Sequence, residues 1–212
     1  MATSVETVAT ALVRRLGILG GTFDPIHHGH LLAAEEASHQ LGLDRVLFVP
    51  AGVPPHKPAR PISPASHRVR MVELAIAGKS HFALSRVDVD RPDPCYTVDT
   101  LELLRAEWGN DPRFFFIEGA DSLSDIARWY QPRRLIELCE LAVAERPGFE
   151  IDLASLEKRL PGLTDRLHWV KMPLLEISSS DLRARVRAGR SISYLVPREV
   201  EAYIRQHRLY RE

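Results

Sequence analysis

Three histidines stand close together in GGTFDPIHHGHL, Gly20 to Leu31, directly after a pair of glycines. A metal site, a phosphate-handling site and a plain turn into a helix are all compatible with that spacing. Glycine lets backbone N–H groups approach a ligand with no Cβ in the way. A helix beginning at His28 to His30 presents free N–H donors and a partial positive charge, a natural seat for phosphate. The pattern is not Walker A, because no GK[ST] follows, and not GxGxxG, because Gly29 comes eight residues after Gly21. His27, just ahead of the helix, and His30, in its first turn, can both face the helix mouth, whereas His28 points elsewhere. Two imidazoles so placed can donate hydrogen bonds to non-bridging phosphate oxygens as charge shifts during transfer. The competing readings are capping or solvated histidines, and a zinc site, which lacks a Cys or Glu partner at ligand spacing.

A second stretch, ISSSDLRARVRAG from Ile177 to Gly189, reads first as a well-capped helix. Ser178 and Asp181 fit the [ST]xx[DE] pattern, and Gly189 is the stop. The same stretch sets three hydroxyls, Ser180 among them, and Arg183 at the helix start, which makes a second seat for phosphate with a guanidinium suited to bidentate contact. A third, GVPPHKP from Gly52 to Pro58, holds His56 and Lys57 on a proline-stiffened loop, pre-positioned for a polyanion. A lone loop lysine is ordinarily just solvated, so this stretch gains meaning only beside the other two.

Elements of alternating type must position these groups. Apolar runs predict strands at 16–19, 46–49, 81–87, 113–117, 141–144 and 167–171. Helical stripes and caps predict helices at 29–41, from Ser63-Pro64 to Gly78 with proline in the first helical position, and at 97–108, 121–127, 132–139, 152–160, 180–188 and about 197–207. Prolines at 50, 54, 55, 58, 61 and 64 mark the intervening loop as stiff and irregular. The resulting fold class is α/β: a doubly wound, mostly parallel sheet covered on both faces, with a C-terminal helical part. Ligands of such folds bind at the carboxyl ends of the strands, near a topological switch point, where the loop after the first strand lies.

The bulk of the chain narrows the classes. Its 212 residues, 45% of them apolar, suffice for a buried core. The 28 basic and 28 acidic side chains cancel, so net charge supports neither nucleic acid nor an anionic membrane as partner. Eight arginines against three glutamates between 183 and 212 are read as solvated helix faces. Cys95 and Cys139 have no CxxC spacing and suit a reducing compartment. The absence of a long apolar run and of a basic leader with an apolar core predicts a cytoplasmic protein, with residues 1–13 a loosely attached extension.

GGTFDPIHHGHL resembles the HxGH loop of the adenylyl- and cytidylyltransferase superfamily, and ISSSDLR resembles its second signature, ISS[ST]xxR. Within that superfamily the chain is similar to the bacterial nicotinate-nucleotide adenylyltransferases through PPHK, CYTVDTL, FIEGADSL with WYQP, ERPG and the ending YLVPREVEAYIRQHRLY, in family order from residue 16 to 210. The resemblance implies a Rossmann-like nucleotidyltransferase domain spanning 14–212 that transfers the adenylyl group of ATP to nicotinate mononucleotide, giving deamido-NAD and pyrophosphate. It implies that His27 and His30 act at the α-phosphate, that His56, Lys57, Ser180 and Arg183 hold phosphates, and that the backbone of Gly21, Thr22 and Phe23 lies along the nucleotide. Gly119 and Asp121 match a ribose-contacting turn, and Arg146 and Ile177 match positions beside the adenine. Trp129 matches the aromatic that stacks on the nicotinate ring, with Thr97 and Tyr130 offering groups to its carboxylate. Read from the residues alone, ordinary core packing is the competing reading of Trp129, and Asp121 is equally a helix cap. Mg2+ is expected, carried mainly by the ATP phosphates, with no protein metal site. Rival readings are the same chemistry on a pantetheine or cytidylyl acceptor, whose families commonly place Thr at the position of His27, and a nucleotide-sensing module without turnover. Oligomeric state and the strength of preference for nicotinate over nicotinamide are not encoded in any motif.

Overall fold

The computed structural model describes residues 13–52, 62–92, 94–145 and 151–211. Its six strands are β1 (Arg15–Gly21), β2 (Arg45–Pro50), β3 (Phe82–Leu84), β4 (Arg113–Gly119), β5 (Glu140–Ala144) and β6 (Leu167–Val170). They form one sheet in the order β3-β2-β1-β4-β5-β6, and every pairing is parallel. Between them run α1 (His28–Leu41), α2 (Ala65–Ile76), α3 (Thr97–Trp108), α4 (Ala120–Leu123), α5 (Pro132–Leu138), α6 (Leu153–Arg159), α7 (Ser179–Arg187) and α8 (Arg198–Gln206).

Side-chain alternation along the strands feeds two cores. Leu16 and Ile18, Leu47 and Val49, Phe114 and Phe116, and Leu141 and Val143 enter one cluster with Val98, Leu101 and Leu135. Leu19, Val46, Phe48, Phe115, Ile117 and Ala142 enter the other, with Ala34, Met71, Leu182 and Val200. A sheet buried on both faces needs near-continuous apolar strands, which is why RFFFI and LAVA stood out as runs without alternation. The chain leaves β1 toward β2 and β3, then returns to place β4 on the other side of β1. The switch point therefore opens between the carboxyl ends of β1 and β4.

Four expectations need correction. The strand expected at 16–19 continues through both glycines: Gly20 pairs with Val49, and Gly21 with Pro50. The loop into α1 is thus TFDPIH, not a glycine-rich turn. Glycine is required at 21 because a Cβ there would sit 2.9 Å from the Phe23 ring, which folds back into the core at φ 50°. The strand expected at 81–87 stops at Leu84, since this edge element has only β2 to pair with and turns away after Ser85. Pro64 is the cap of α2 instead of its first residue. The helix expected at 121–127 is one turn, α4, followed by a 3-10 turn at Ile126–Arg128. Of the extension expected at 1–13, residues 1–12 lie outside the described residues, and Val13 packs partly buried on the first core.

Candidate functional site

Two adjoining cavities open at the switch point. The larger, about 540 Å³, is lined by Gly21 to Asp24, His27 and His30 on one side, by Glu118, Gly119 and Asp121 on the second, and by Ile177 to Ser180 and Arg183 on the third. The smaller, about 240 Å³, is lined by Asp88, Cys95, Tyr96, Thr97, Thr100 and Tyr130. Gly20, Gly21, Thr22, Phe116 and Trp129 border both, so the two spaces meet at the end of β1.

His27 caps α1 in an extended conformation and is buried, while His30 lies in the first turn. Their rings stack at 3.7 Å between centroids, with Phe23 edge-on to His30 at 5.1 Å. The His27 backbone N–H donates to Nδ1 of His30 at 3.3 Å. In the neutral ring that bond leaves the His30 proton on Nε2. Burial, with His28 adding to it, lowers the His27 pKa from 6.5 to about 4. Burial and the neighbouring His27 likewise hold His30 well below its ordinary value; the residue is partly buried and lines the larger cavity. Both imidazoles are therefore neutral hydrogen-bond donors at pH 7. Nδ1 of His27 is buried without a hydrogen-bond partner.

The second motif is stitched directly onto this loop. The Ser179 hydroxyl donates to the Pro25 carbonyl at 2.9 Å, and Nη1 of Arg183 to the Asp24 carbonyl at 2.6 Å, across 154 and 159 residues of sequence. Ser178 caps α7 by accepting from the Asp181 N–H at 3.1 Å, as its sequence pattern predicts. Nη2 of Arg183 reaches the Ser180 hydroxyl at 3.2 Å. The N-termini of α1 and α7 thus converge on one cavity, and each brings its partial positive charge. An anion between them meets neutral donors on one side and a guanidinium on the other.

Buried groups without a sequence motif hold the loop in place. Asp24 accepts from the Tyr210 hydroxyl at 2.6 Å and from the Ser63 N–H at 3.2 Å. Arg68, 3% exposed, donates to the carbonyls of Ser63, Thr22, Ala51 and Gly52, which joins the β1 loop to both flanks of the 53–61 segment. Sequence reading passed over Arg68, although it falls in the apolar stripe of its helix four and eight residues before Val72 and Ile76. Glu118 was also missed. It follows the apolar run 114–117 within β4, is 7% exposed, and neither carboxyl oxygen has a partner. Burial, then the nearby Asp121, pushes its pKa from 4.5 up to about 8.

Thr97 and Tyr130 line the smaller cavity, and Trp129 borders both. Trp129 packs edge-on against Phe116 at 6.1 Å, and Tyr130 stacks on Tyr96 at 4.3 Å. Thr97 opens α3, so the start of that helix, whose first-turn N–H groups lack intrahelical partners, lies on this space. Gly119 and Asp121 stand at the head of α4, and Ile177 just ahead of α7, all on the larger cavity. His56, Lys57 and Arg146 lie outside the described residues.

The cytidylyltransferase-like family model matches residues 18–185. A relative from Thermomicrobium roseum is 55% identical over 93% of this chain and 92% of its own length. One from Roseiflexus sp. (strain RS-1) is 47% identical over 92% and 98%. Both carry the name "Probable nicotinate-nucleotide adenylyltransferase". Among solved structures, Plasmodium falciparum nicotinic acid mononucleotide adenylyltransferase complexed with NaAD shares the fold at a TM-score of 0.76. It is 23% identical, over 93% of this chain and 97% of that one.

Proposed function

The chain belongs to the cytidylyltransferase-like family and, within it, to the nicotinate-nucleotide adenylyltransferases; from that premise we propose how its two cavities carry the reaction. The enzyme transfers the adenylyl group of ATP to nicotinate mononucleotide, giving deamido-NAD and pyrophosphate. The observation that carries the site reading is the convergence of α1 and α7, with their histidine pair and their serine-arginine pair, on one cavity that opens into an aromatic-walled second one.

In our reading ATP occupies the larger cavity and the mononucleotide ring the smaller. The backbone of Gly21, Thr22 and Phe23 runs along the nucleotide, Gly119 and Asp121 meet the ribose, and Ile177 stands by the adenine, a role the family resemblance also assigns to Arg146. Ser180 and Arg183 hold phosphate oxygens, a role the family resemblance also assigns to His56 and Lys57. The ring lies on Trp129, and the N–H groups at Thr97 with the Tyr130 hydroxyl receive its carboxylate. The acceptor phosphate is already an anion, so attack on the α-phosphorus requires no strong base and no covalent intermediate. Alignment and charge stabilisation suffice. Nε2–H of His30 and the His27 ring donate to the non-bridging oxygens, and their hydrogen bonds strengthen as those oxygens gain charge.

Among the described residues, neutral imidazoles, backbone N–H groups and the Arg183 guanidinium leave much of a triphosphate's charge uncompensated, and this donor set fits Mg2+ carried by the phosphates and water. Among the described residues no group of three or more His, Cys, Asp or Glu is arranged to hold a metal. The ion supplies neutralisation of the polyphosphate. We take residues 14–212 as one domain and place the enzyme in the cytoplasm. Cys95 and Cys139 are buried thiols outside any disulfide, as suits a reducing compartment. Pyrophosphate release with ATP and, in turn, nicotinate mononucleotide, nicotinamide mononucleotide and phosphopantetheine tests the reading. Release is expected with nicotinate mononucleotide; release with phosphopantetheine alone would overturn it.

A further inference from the structure

The smaller cavity contains a contradiction. It is assigned to a ring bearing a carboxylate, yet an acid, Asp88, lines it and is 7% exposed. An uncompensated buried carboxylate repels an anionic ligand, and like charges placed together act against the wrong partner.

The compensation comes from Arg91, whose side chain is 15% exposed. Its Nε donates to Oδ1 of Asp88 at 3.0 Å, and Nη2 lies 3.0 Å from the same oxygen. The Thr100 hydroxyl adds a 2.7 Å bond to that oxygen. Nη2 also donates to the Tyr96 carbonyl and to Oγ1 of Thr100, both at 3.1 Å, and Nη1 reaches Asp99 at 3.4 Å. Asp99 is the more exposed of the two acids, sits in the first turn of α3, and does not line the cavity. The guanidinium thus pairs with the acid that lines the cavity, while Nη2 also holds the carbonyl of Tyr96, the residue capping α3 and stacked on Tyr130.

We propose that the Asp88–Arg91 pair sets the acid-over-amide selectivity of this pocket: Arg91 cancels the Asp88 charge, so the N–H groups opening α3 can receive a ring carboxylate. The proposal rests on the assignment of the mononucleotide ring to the smaller cavity. Arg91 is a positioning and charge-balancing residue that does not itself touch the ligand. A carboxamide carries no charge and is indifferent to the state of the pair, so the two mononucleotides report separately on charge and on architecture.

The test measures, at pH 8.5 to keep Asp88 ionised once its cation is gone, the KM for nicotinate mononucleotide and the Ki of nicotinamide mononucleotide as its competitor. For Arg91→Met the KM rises about tenfold or more while the Ki moves less than about threefold, the asymmetry expected of an unpaired like charge. Replacing both residues, Asp88→Asn with Arg91→Met, removes both charges and returns the KM to within about threefold of wild type. Asp88→Asn alone leaves the KM equal or lower. Equal rises of KM and Ki in Arg91→Met, or a KM in the double variant as poor as in the single one, would overturn the proposal. Should Arg91→Met fail to fold, the double variant and Asp88→Asn decide by the same KM criterion. A wild-type enzyme inactive with nicotinate mononucleotide would count against the functional reading itself, and so is distinguishable from a failure of this inference.

Discussion

Glu118→Gln should stabilise the protein by an amount that grows with pH. The Glu118 carboxyl, on the strand face it shares with Phe114 and Phe116, is buried with both oxygens unpartnered, and its pKa stands at about 8 against an ordinary 4.5. A carboxyl whose folded pKa is raised favours the native state most below its unfolded pKa, and that stability is lost as pH rises through the folded value. The unfolded chain releases the proton from about pH 4.5, whereas the native chain holds it until about 8. Each pH unit in that window costs ~1.4 kcal/mol, which amounts to ~3 kcal/mol by pH 7 and ~5 kcal/mol at the upper end. Those figures are a large share of the stability of an ordinary domain. Gln keeps the shape and cannot ionise, so at pH 5 the two proteins should agree within about 1 kcal/mol. Urea unfolding of both at pH 5, 7 and 9 reads the difference directly. A gap that stays constant across the three pH values would refute the reasoning, because it would mean the carboxyl ionises as readily in the folded chain as in the unfolded one.

Acid should act in the opposite sense on the histidine pair. His27 has its folded pKa lowered from 6.5 to about 4, so the unfolded state takes up a proton first and stability falls as pH drops through that window. Its share is ~3 kcal/mol, and His27→Gln should show a correspondingly shallower loss in urea midpoints between pH 7 and 4.5; parallel losses would contradict the burial argument. Trp129→Ala should raise the KM for nicotinate mononucleotide by about tenfold or more with little change for ATP, as for a lost stacking face. An unaltered KM would remove the stacking role.

The fold was legible because both cores are fed by strands with almost no polar interruption, and because caps such as Ser178 and stops such as Gly42 announce their helices locally. The two helix starts proposed to bind phosphate were legible for the same reason. What the sequence concealed is the support that joins them. Arg68 binds four carbonyls scattered from Thr22 to Ser63, and carbonyls carry no residue identity. Asp24 is met by Tyr210 across 186 residues. Arg91 belongs to no motif, and only the fold sets it beside Asp88 at the cavity. The extent of β1 was misjudged because a glycine pair breaks most strands, whereas here parallel pairing to Val49 and Pro50 continues through it.

The account rests on the convergence of two helix N-termini on a single reacting phosphate, and His30 is the residue that tests it most directly. The measurement is single-turnover adenylyl transfer at saturating ATP and nicotinate mononucleotide, wild type against His30→Ala, with the dissociation constant of ATP taken in parallel. The account predicts a rate lower by about two orders of magnitude or more with ATP binding changed less than about threefold, the signature of a group that acts in the transition state. An unchanged rate, or a loss explained wholly by weaker ATP binding, would contradict it.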